Sequence, residues 1–154
     1  MSTTHKSLQK KFERKQSSLR AAVDCKKRGE LSELAFVHKA ESLGFGVSKP
    51  YGESNRYDFI VHSEPNFWKV QIKSSNSVGW GGYMIHAHRR RGEKEVPYTI
   101  EEIDFLVAHI VPEDEWFVIP VRAFVPRRSV HLFPRGTAEP GRYEKYRDAW
   151  YLMM

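Results

Sequence analysis

Residues 57–73 read Tyr57-Asp58-Phe59-Ile60-Val61-His62-Ser63-Glu64-Pro65-Asn66-Phe67-Trp68-Lys69-Val70-Gln71-Ile72-Lys73. Two apolar runs of strand character flank a turn cluster, Ser63-Glu64-Pro65-Asn66, and together they predict a β-hairpin. Folded about that turn, Asp58 is expected opposite Lys73. Side chains alternate along a strand, so Asp58, Gln71 and Lys73 share one face, expected to be open to solvent. Tyr57, Phe59, Val61, Trp68, Val70 and Ile72 fall on the other face and read as core. A carboxylate, a carbonyl-bearing amide and a lysine meeting on one face can hold a divalent metal and a water beside a phosphate.

The segments around the hairpin set its context. Leu8, Phe12, Leu19 and Val23 recur at helical spacing, with Lys10, Lys11 and Arg14 off that stripe. This predicts a basic amphipathic helix whose apolar stripe packs on the core or on a second subunit. Gly29 is expected to end it, and a second helix to run over 30–43 until Gly44. Strands are expected over 45–48, 57–62, 67–73, 83–88, 104–110, 116–119 and 129–133. Residues 74–82 are polar and glycine-rich and read as a loop, 89–95 as a charged exposed stretch, 99–102 as one helical turn, and 142–152 as a closing helix. Helix, strands and helix in this order predict an α/β fold, a mixed central sheet flanked by helices.

A chain of 154 residues suits one domain with a single sizeable core. With 40% hydrophobic and 13% aromatic residues it is not composed like a disordered chain. No apolar run is long enough to span a bilayer, and the N-terminus lacks the apolar stretch of a signal peptide. The single cysteine, Cys25, excludes an internal disulfide framework and a four-cysteine zinc site, and reads as a small residue on a helix. A cytoplasmic bacterial protein, associated with the nucleoid, is the expectation. The net charge of +6 is unevenly placed: residues 1–28 hold nine Lys/Arg and two Asp/Glu, while residues 29–154 hold 16 and 17. Residues 1–28 therefore read as a basic arm, partly helical, before a domain over 29–154. Such an arm attracts phosphate polymers through counterion release, the plain alternative being a solvated leader.

Three spaced motifs carry a family resemblance: Gly29-Glu30-Leu31-Ser32-Glu33, Tyr57-Asp58 and Val70-Gln71-Ile72-Lys73. The chain resembles the PD-(D/E)XK nuclease superfamily, in which a metal-binding Asp is followed by acid-x-Lys on the next strand. It is most similar to the small endonuclease branch reading G-x-x-x-E, Y-D and V-Q-V/I-K. That branch includes homing endonucleases of bacterial introns, with archaeal Holliday-junction resolvases as more distant relatives. The resemblance runs from Gly29 to the end, through Ile103-Asp104-Phe105, Trp116-Phe117-Val118-Ile119-Pro120 and Tyr146-Arg147-Asp148-Ala149-Trp150. Tyr57 stands where the family name has Pro. Gln71 stands where it has an acid, which removes one negative charge from the site.

The resemblance implies a restriction-endonuclease-like fold and a Mg²⁺-dependent DNA endonuclease, with Mn²⁺ able to substitute and no small-molecule cofactor. It implies a metal held by Asp58, Gln71, the Ile72 backbone carbonyl and Glu33, with Lys73 orienting water or stabilising the transition state. Glu30 lies one turn from Glu33, but the family pattern places the acid four residues after the glycine. Further candidates for DNA contact are Lys10, Lys11, Arg14 and Lys15 in the arm, Ser74 and Ser75 after Lys73, and His86, His88, Arg89, Arg90 and Arg91. His86-x-His88 is also a zinc-type pair, but no partner ligand accompanies it. Lys39, Lys49 and Arg127-Arg128 read as solvated charge or phosphate contacts, and Trp80 and Tyr83 as base-stacking or packing residues. Cutting both strands needs two sites, so a homodimer or higher homo-oligomer is expected. The competing reading is a DNA-binding module that keeps the fold while Gln71 has weakened the metal site. The sequence leaves the DNA target open, and with it the choice between homing, junction-resolving and restriction-like roles.

Overall fold

The computed structural model describes residues 3–154, except for the side chains of residues 3–5 and 18–23. The chain divides into two compact units, residues 1–31 and 32–154. Among the described residues no helix is long and apolar enough to cross a membrane.

A single helix, α1 (Thr3–Ser42), covers the region read as two. Gly29 lies inside it, because one glycine costs a helix only about 1 kcal/mol and an intact hydrogen-bond ladder offsets that. Leu8 and Phe12 of the predicted stripe are exposed, and the side chains of Leu19 and Val23 lie outside the described residues. The C-terminal end is where the sequence places it. Gly44 has φ +90, its N–H donates to the Glu41 carbonyl (3.0 Å), and the Phe45 N–H donates to the Ala40 carbonyl (3.1 Å). These paired bonds form a Schellman motif, and Phe45 and Ala40 share a core cluster as that motif favours. In the second unit, Ser32, Phe36 and Ala40 recur at helical spacing and are buried.

Ten strands follow: β1 (Gly46–Ser48), β2 (Phe59–Ser63), β3 (Asn66–Ser75), β4 (Val78–Gly79), β5 (Gly82–His86), β6 (His88–Arg91), β7 (Lys94–Pro97), β8 (Phe105–Ile110), β9 (Glu115–Pro120) and β10 (Ser129–Leu132). The main sheet has the order β1-β2-β3-β8-β9 and is mixed: β3 and β8 are parallel, the other pairs antiparallel. A three-stranded sheet, β10-β5-β4, and a two-stranded hairpin, β6-β7, complete the fold. The α/β class with a mixed central sheet is therefore the one the sequence predicts.

Both faces of the main sheet are buried. Phe105, Val107, Trp116 and Val118 pack with Phe36, Ala40 and Trp150 on one side. Leu106, Ala108, Phe117 and Ile119 pack with Tyr83, Ile85, Val130 and Leu132 on the other. Strands buried on both faces read as continuous apolar runs, and β8 is such a run apart from His109.

Several local expectations need correction. The β2–β3 ladder runs from Phe59↔Val70 to Ser63↔Asn66 around a two-residue turn, Glu64-Pro65, so Asp58 is level with Gln71 rather than Lys73. Tyr57 precedes β2, escapes its alternation and packs with the Tyr83–Leu132 cluster instead of beside Phe59. Residues 74–82 are only partly loop, because parallel pairing extends β3 to Ser75 opposite Ile110 and Val78–Gly79 forms β4. The charged stretch after Ala87 folds as the β6–β7 hairpin, which separates His88 from the strand of His86.

The C-terminus is two 3₁₀ turns, Glu144–Tyr146 and Trp150–Met153, rather than a helix over 142–152. Arg147 is extended and bridges Phe117, while the Asp148 N–H donates to the Trp116 carbonyl (2.8 Å) at φ +48. Pairing with β9 outweighs the helical spacing there.

Candidate active site

Asp58 sits at the mouth of the hairpin, just before β2, where its N–H donates to the Val70 carbonyl (2.9 Å). Its Oδ2 accepts two hydrogen bonds from β3, from the Ile72 N–H (2.8 Å) and from Gln71 Nε2 (2.6 Å). The Gln71 amide nitrogen also donates to the Ile72 carbonyl oxygen (3.3 Å). Three of the predicted ligands, Asp58, Gln71 and the Ile72 backbone, therefore form one hydrogen-bonded cluster. Lys73 is two residues along the same strand face. That face is not open to solvent. Gln71 and Lys73 are level with Leu106 and Ala108 of β8, which belong to the buried face. Gln71 is 9% exposed, and Asp58 and Lys73 are half-buried.

Burial governs the electrostatics. It pushes the Asp58 carboxyl above its usual range, and the nearby Glu33 charge adds to this. The Ile72 N–H, Lys73 and Gln71 pull the other way without reversing it. Burial also holds the Lys73 ammonium below its ordinary pKa, against the stabilising charge of Asp58. Perturbed groups of opposite sign in one recess make this a candidate functional site by the physics of desolvation. Glu33, on α1, accepts an ion pair from Lys49 at 2.7 Å.

A second cluster adjoins the first. Burial raises the Tyr98 phenol, with Asp58 and Glu102 adding to the effect and Arg89 and Arg56 opposing it. Glu102 holds Arg89 through Nε (2.9 Å) and Nη2 (2.8 Å), and Arg56 Nε stands 3.8 Å away. Arg89 Nη1 is buried with no hydrogen-bond partner. Arg89 is therefore not the exposed surface cation its sequence context suggests. Tyr98 and Glu102 carry no motif in the sequence; only the packing of 98–102 beside Asp58 reveals them.

The other candidates have surroundings of their own. His88 Nδ1 faces the Arg128 carbonyl (3.0 Å) and its Nε2 faces Glu95 (3.6 Å), with the His86 ring 5.4 Å away. Arg90 and Arg91 are exposed, and Ser74 and Ser75 are half-buried at the end of β3. Lys10, Lys11, Arg14 and Lys15 are exposed in the first unit. Tyr83 packs in the core, whereas Trp80 is exposed. Among the described residues, no three His, Cys, Asp or Glu side chains come together as a metal cluster.

Comparison with known proteins decides the family. A model of the PD-(D/E)XK endonuclease family matches residues 23–153. The chain belongs to the PD-(D/E)XK endonucleases. Among solved structures, this PD-(D/E)XK chain is similar to a bacterial homing endonuclease, I-Ssp6803I, with a TM-score of 0.74 and 32% identity. That match covers 82% of this chain and 90% of the other. No curated protein sequence matches it. Asp58, Gln71, Ile72 and Lys73 all lie inside the span matched by the PD-(D/E)XK model.

Proposed function

We propose that this PD-(D/E)XK protein is a Mg²⁺-dependent DNA endonuclease, with Mn²⁺ able to substitute. The observation that carries the reading is the convergence of the Asp58 carboxylate, the Gln71 amide and the Ile72 carbonyl beside a lysine of depressed pKa. The donor set fits the ion. It comprises the Asp58 carboxylate and the Ile72 carbonyl, with the Gln71 oxygen joining them once its amide turns, and Glu33 close enough to raise Asp58. Mg²⁺ takes oxygen ligands, keeps several waters and needs few protein groups. When bound, it would neutralise charge on the phosphoryl oxygens and lower the pKa of a ligated water. Lys73 supplies a donor in a partly dry site, where a fixed positive charge acts on developing phosphoryl charge more strongly than in water. Asp58 fixes Gln71, and Glu33 adds negative charge at the rim. The scission expected of this chemistry leaves 5′-phosphate and 3′-hydroxyl ends. A homodimer or higher homo-oligomer would bring two sites to the two strands.

Incubating the purified protein with supercoiled, branched and single-stranded DNA, with and without Mg²⁺, tests the proposal. Metal-dependent nicking of any of these supports it, and no cleavage with either Mg²⁺ or Mn²⁺ overturns it. A DNA-binding module without cleavage is the competing reading. It is favoured by one observation: Gln71 Nε2, not its oxygen, faces Asp58, so Asp58 Oδ2 is already hydrogen-bonded without a cation. Such a module should bind DNA equally in EDTA and in Mg²⁺.

Gln71 separates the two readings further. A ligand role requires its terminal amide to turn so that oxygen replaces nitrogen. Gln71→Glu sets a second carboxylate against Asp58, at a contact now 2.6 Å long. Without metal the two charges repel, and with metal they share it. The expected result is tighter Mg²⁺ binding by calorimetry, retained nicking and a lower melting temperature in EDTA than in Mg²⁺. Gln71→Leu should lose most metal affinity and cleavage. Wild-type metal binding by the leucine variant would make Gln71 a bystander.

We also propose that the basic residues of 1–28 contact phosphate as an arm on the 29–154 nuclease domain. Replacing Lys10, Lys11, Arg14 and Lys15 with Ala preserves helix propensity while removing charge. The slope of log K against log salt should fall by about 0.9 for each lost contact on duplex DNA. An unchanged slope would show that these residues do not touch the backbone.

A further inference from the structure

β4 and β5 form a hairpin in which Gly79 pairs with Gly82, leaving Trp80-Gly81 as a two-residue turn. Both turn residues have positive φ, +56 at Trp80 and +75 at Gly81. A turn of this kind favours Asn-Gly or Gly-Gly, because a bulky L residue is strained at positive φ. Trp80 is also 94% exposed, so it gains no packing in return. The neighbouring Val78 is 61% exposed.

Gly79 adds a second observation. Its φ is not positive, and a Cβ built there meets nothing within 4 Å. Neither backbone conformation nor internal packing requires glycine at this position, whereas at Gly82 a Cβ would lie 2.5 Å from the Leu132 carbonyl oxygen. Glycine there keeps the ribbon narrow and leaves room for the close approach of an outside partner. The tip is therefore a slim ribbon carrying one large flat aromatic.

Charge identifies the partner class. Residues 65–92 and 116–138, which include β4, β5 and β10, hold nine Lys/Arg and no Asp or Glu. The rest of the chain after residue 28 carries all 17 acids of that region. Segments without a carboxylate of their own suit a polyanion with stackable faces better than a second copy of this acid-bearing domain, although Glu113 reaches Tyr83 and Glu102 and Glu115 pair with Arg89 and Arg135. Trp80 follows Lys73 by seven residues, a span of at most roughly 25 Å. That is about seven base pairs of duplex, so both can engage one stretch of DNA.

We propose that Trp80 is a wedge that stacks on bases of duplex DNA at a step it partly opens. The proposal rests on the reading of the protein as a DNA endonuclease and adds how it grips its substrate. A strained, solvent-exposed tryptophan at a hairpin tip is then the conformation bound DNA requires, held in advance.

The test uses the full chain, wild type, Trp80→Asn and Trp80→Tyr. Asn suits the turn, so Trp80→Asn should melt at or above the wild-type temperature. Duplexes carrying 2-aminopurine at successive positions report unstacking by increased fluorescence. Wild type should raise the signal at one or a few positions. Trp80→Asn should lose that signal and bind roughly 5- to 150-fold more weakly, the equivalent of about 1–3 kcal/mol per stacked base. Trp80→Tyr should restore part of both. Equal binding and equal fluorescence for wild type and Trp80→Asn would overturn the wedge. So would a change of oligomeric state in Trp80→Asn without DNA, which would assign the tip to a second copy. Failure of the parent reading looks different: the wild type itself then neither binds nor nicks DNA, and the wedge falls with it.

Discussion

Asp58→Asn and Lys73→Met should each reduce Mg²⁺-dependent nicking by roughly 10²- to 10³-fold or more, the scale at which loss of one preorganised charged group lowers turnover. The choice of variants follows from the contacts. Asp58 accepts the Ile72 N–H and the Gln71 amide, and Asn keeps an acceptor for the first. Asp58→Ala would instead leave the Ile72 N–H without its partner and cost about 1–3 kcal/mol of stability as well. Lys73→Met should leave the melting temperature unchanged or raised. The folded pKa of Lys73 lies below its unfolded value, so the charged form costs folding stability at every pH below the folded pKa. That cost disappears only as pH rises toward 10.5. Asp58 mirrors it: its folded pKa is above 3.8, and its cost is present above that folded pKa and is relieved as pH falls toward 3.8. At subsaturating Mg²⁺, where proton and metal compete for Asp58, activity should therefore fall on the acid side at a higher pH than an ordinary carboxylate would give. It should fall on the basic side at a lower pH than an ordinary lysine would give. Nicking rates across a pH series measure both limbs, and wild-type nicking by either variant would remove that residue from the mechanism.

Arg147→Ala should produce the largest loss of stability. The guanidinium is 6% exposed and binds Glu115, Glu144 (2.8 Å from Nε and from Nη2) and the Phe133 carbonyl (2.6 Å), while lying 4.5 Å above the Phe117 ring. Glu115 is only 11% exposed, so truncating Arg147 strands a buried carboxylate. Breaking a buried pair this way costs about 3–5 kcal/mol. Arg135 also reaches Glu115 at 3.0 Å and should hold the loss toward the lower figure. For a domain of this size the melting temperature should drop by about 6–20 °C. A shift under 2 °C in thermal melts would show that Arg135 alone satisfies Glu115. Nicking below the melting temperature should persist, since Arg147 makes no contact with Asp58, Gln71 or Lys73.

Much of the site was legible because strand periodicity tolerates a particular error. Reading Asp58 against Lys73 misplaces the register by two residues, and a shift of two keeps every side chain on its own face. Asp58, Gln71 and Lys73 therefore meet as the sequence suggests, though level with different partners. Tyr57 was misassigned because alternation stops where the strand stops. Burial of the site face was not legible, since it depends on the parallel pairing of Gln71 and Lys73 with Leu106 and Ala108, more than 30 residues away. The Arg89–Glu102 pair and the extended Arg147 depend likewise on partners remote in sequence. The end of α1 was legible to within one residue because Leu43-Gly44-Phe45 carries its own stop signal. Gly29 misled because a lone glycine lacks the cap that would make it one.

β5 has a consequence for how such a protein can diversify. Tyr83 and Ile85 point into the core, while Met84 and His86 point out, and the strand is tied to β10 from Tyr83 to His86. The outward positions, with the Trp80 turn and exposed Arg90 and Arg91, can drift one residue at a time without touching a buried neighbour. The inward positions cannot. Residues 76–104 leave β3 and return in β8 at the adjacent strand, where Asp104 Oδ2 accepts the Lys69 N–H at 2.7 Å. The excursion is thus sewn shut beside β3, and mutation can rewrite its outer surface while Asp58, Gln71 and Lys73 stay in register.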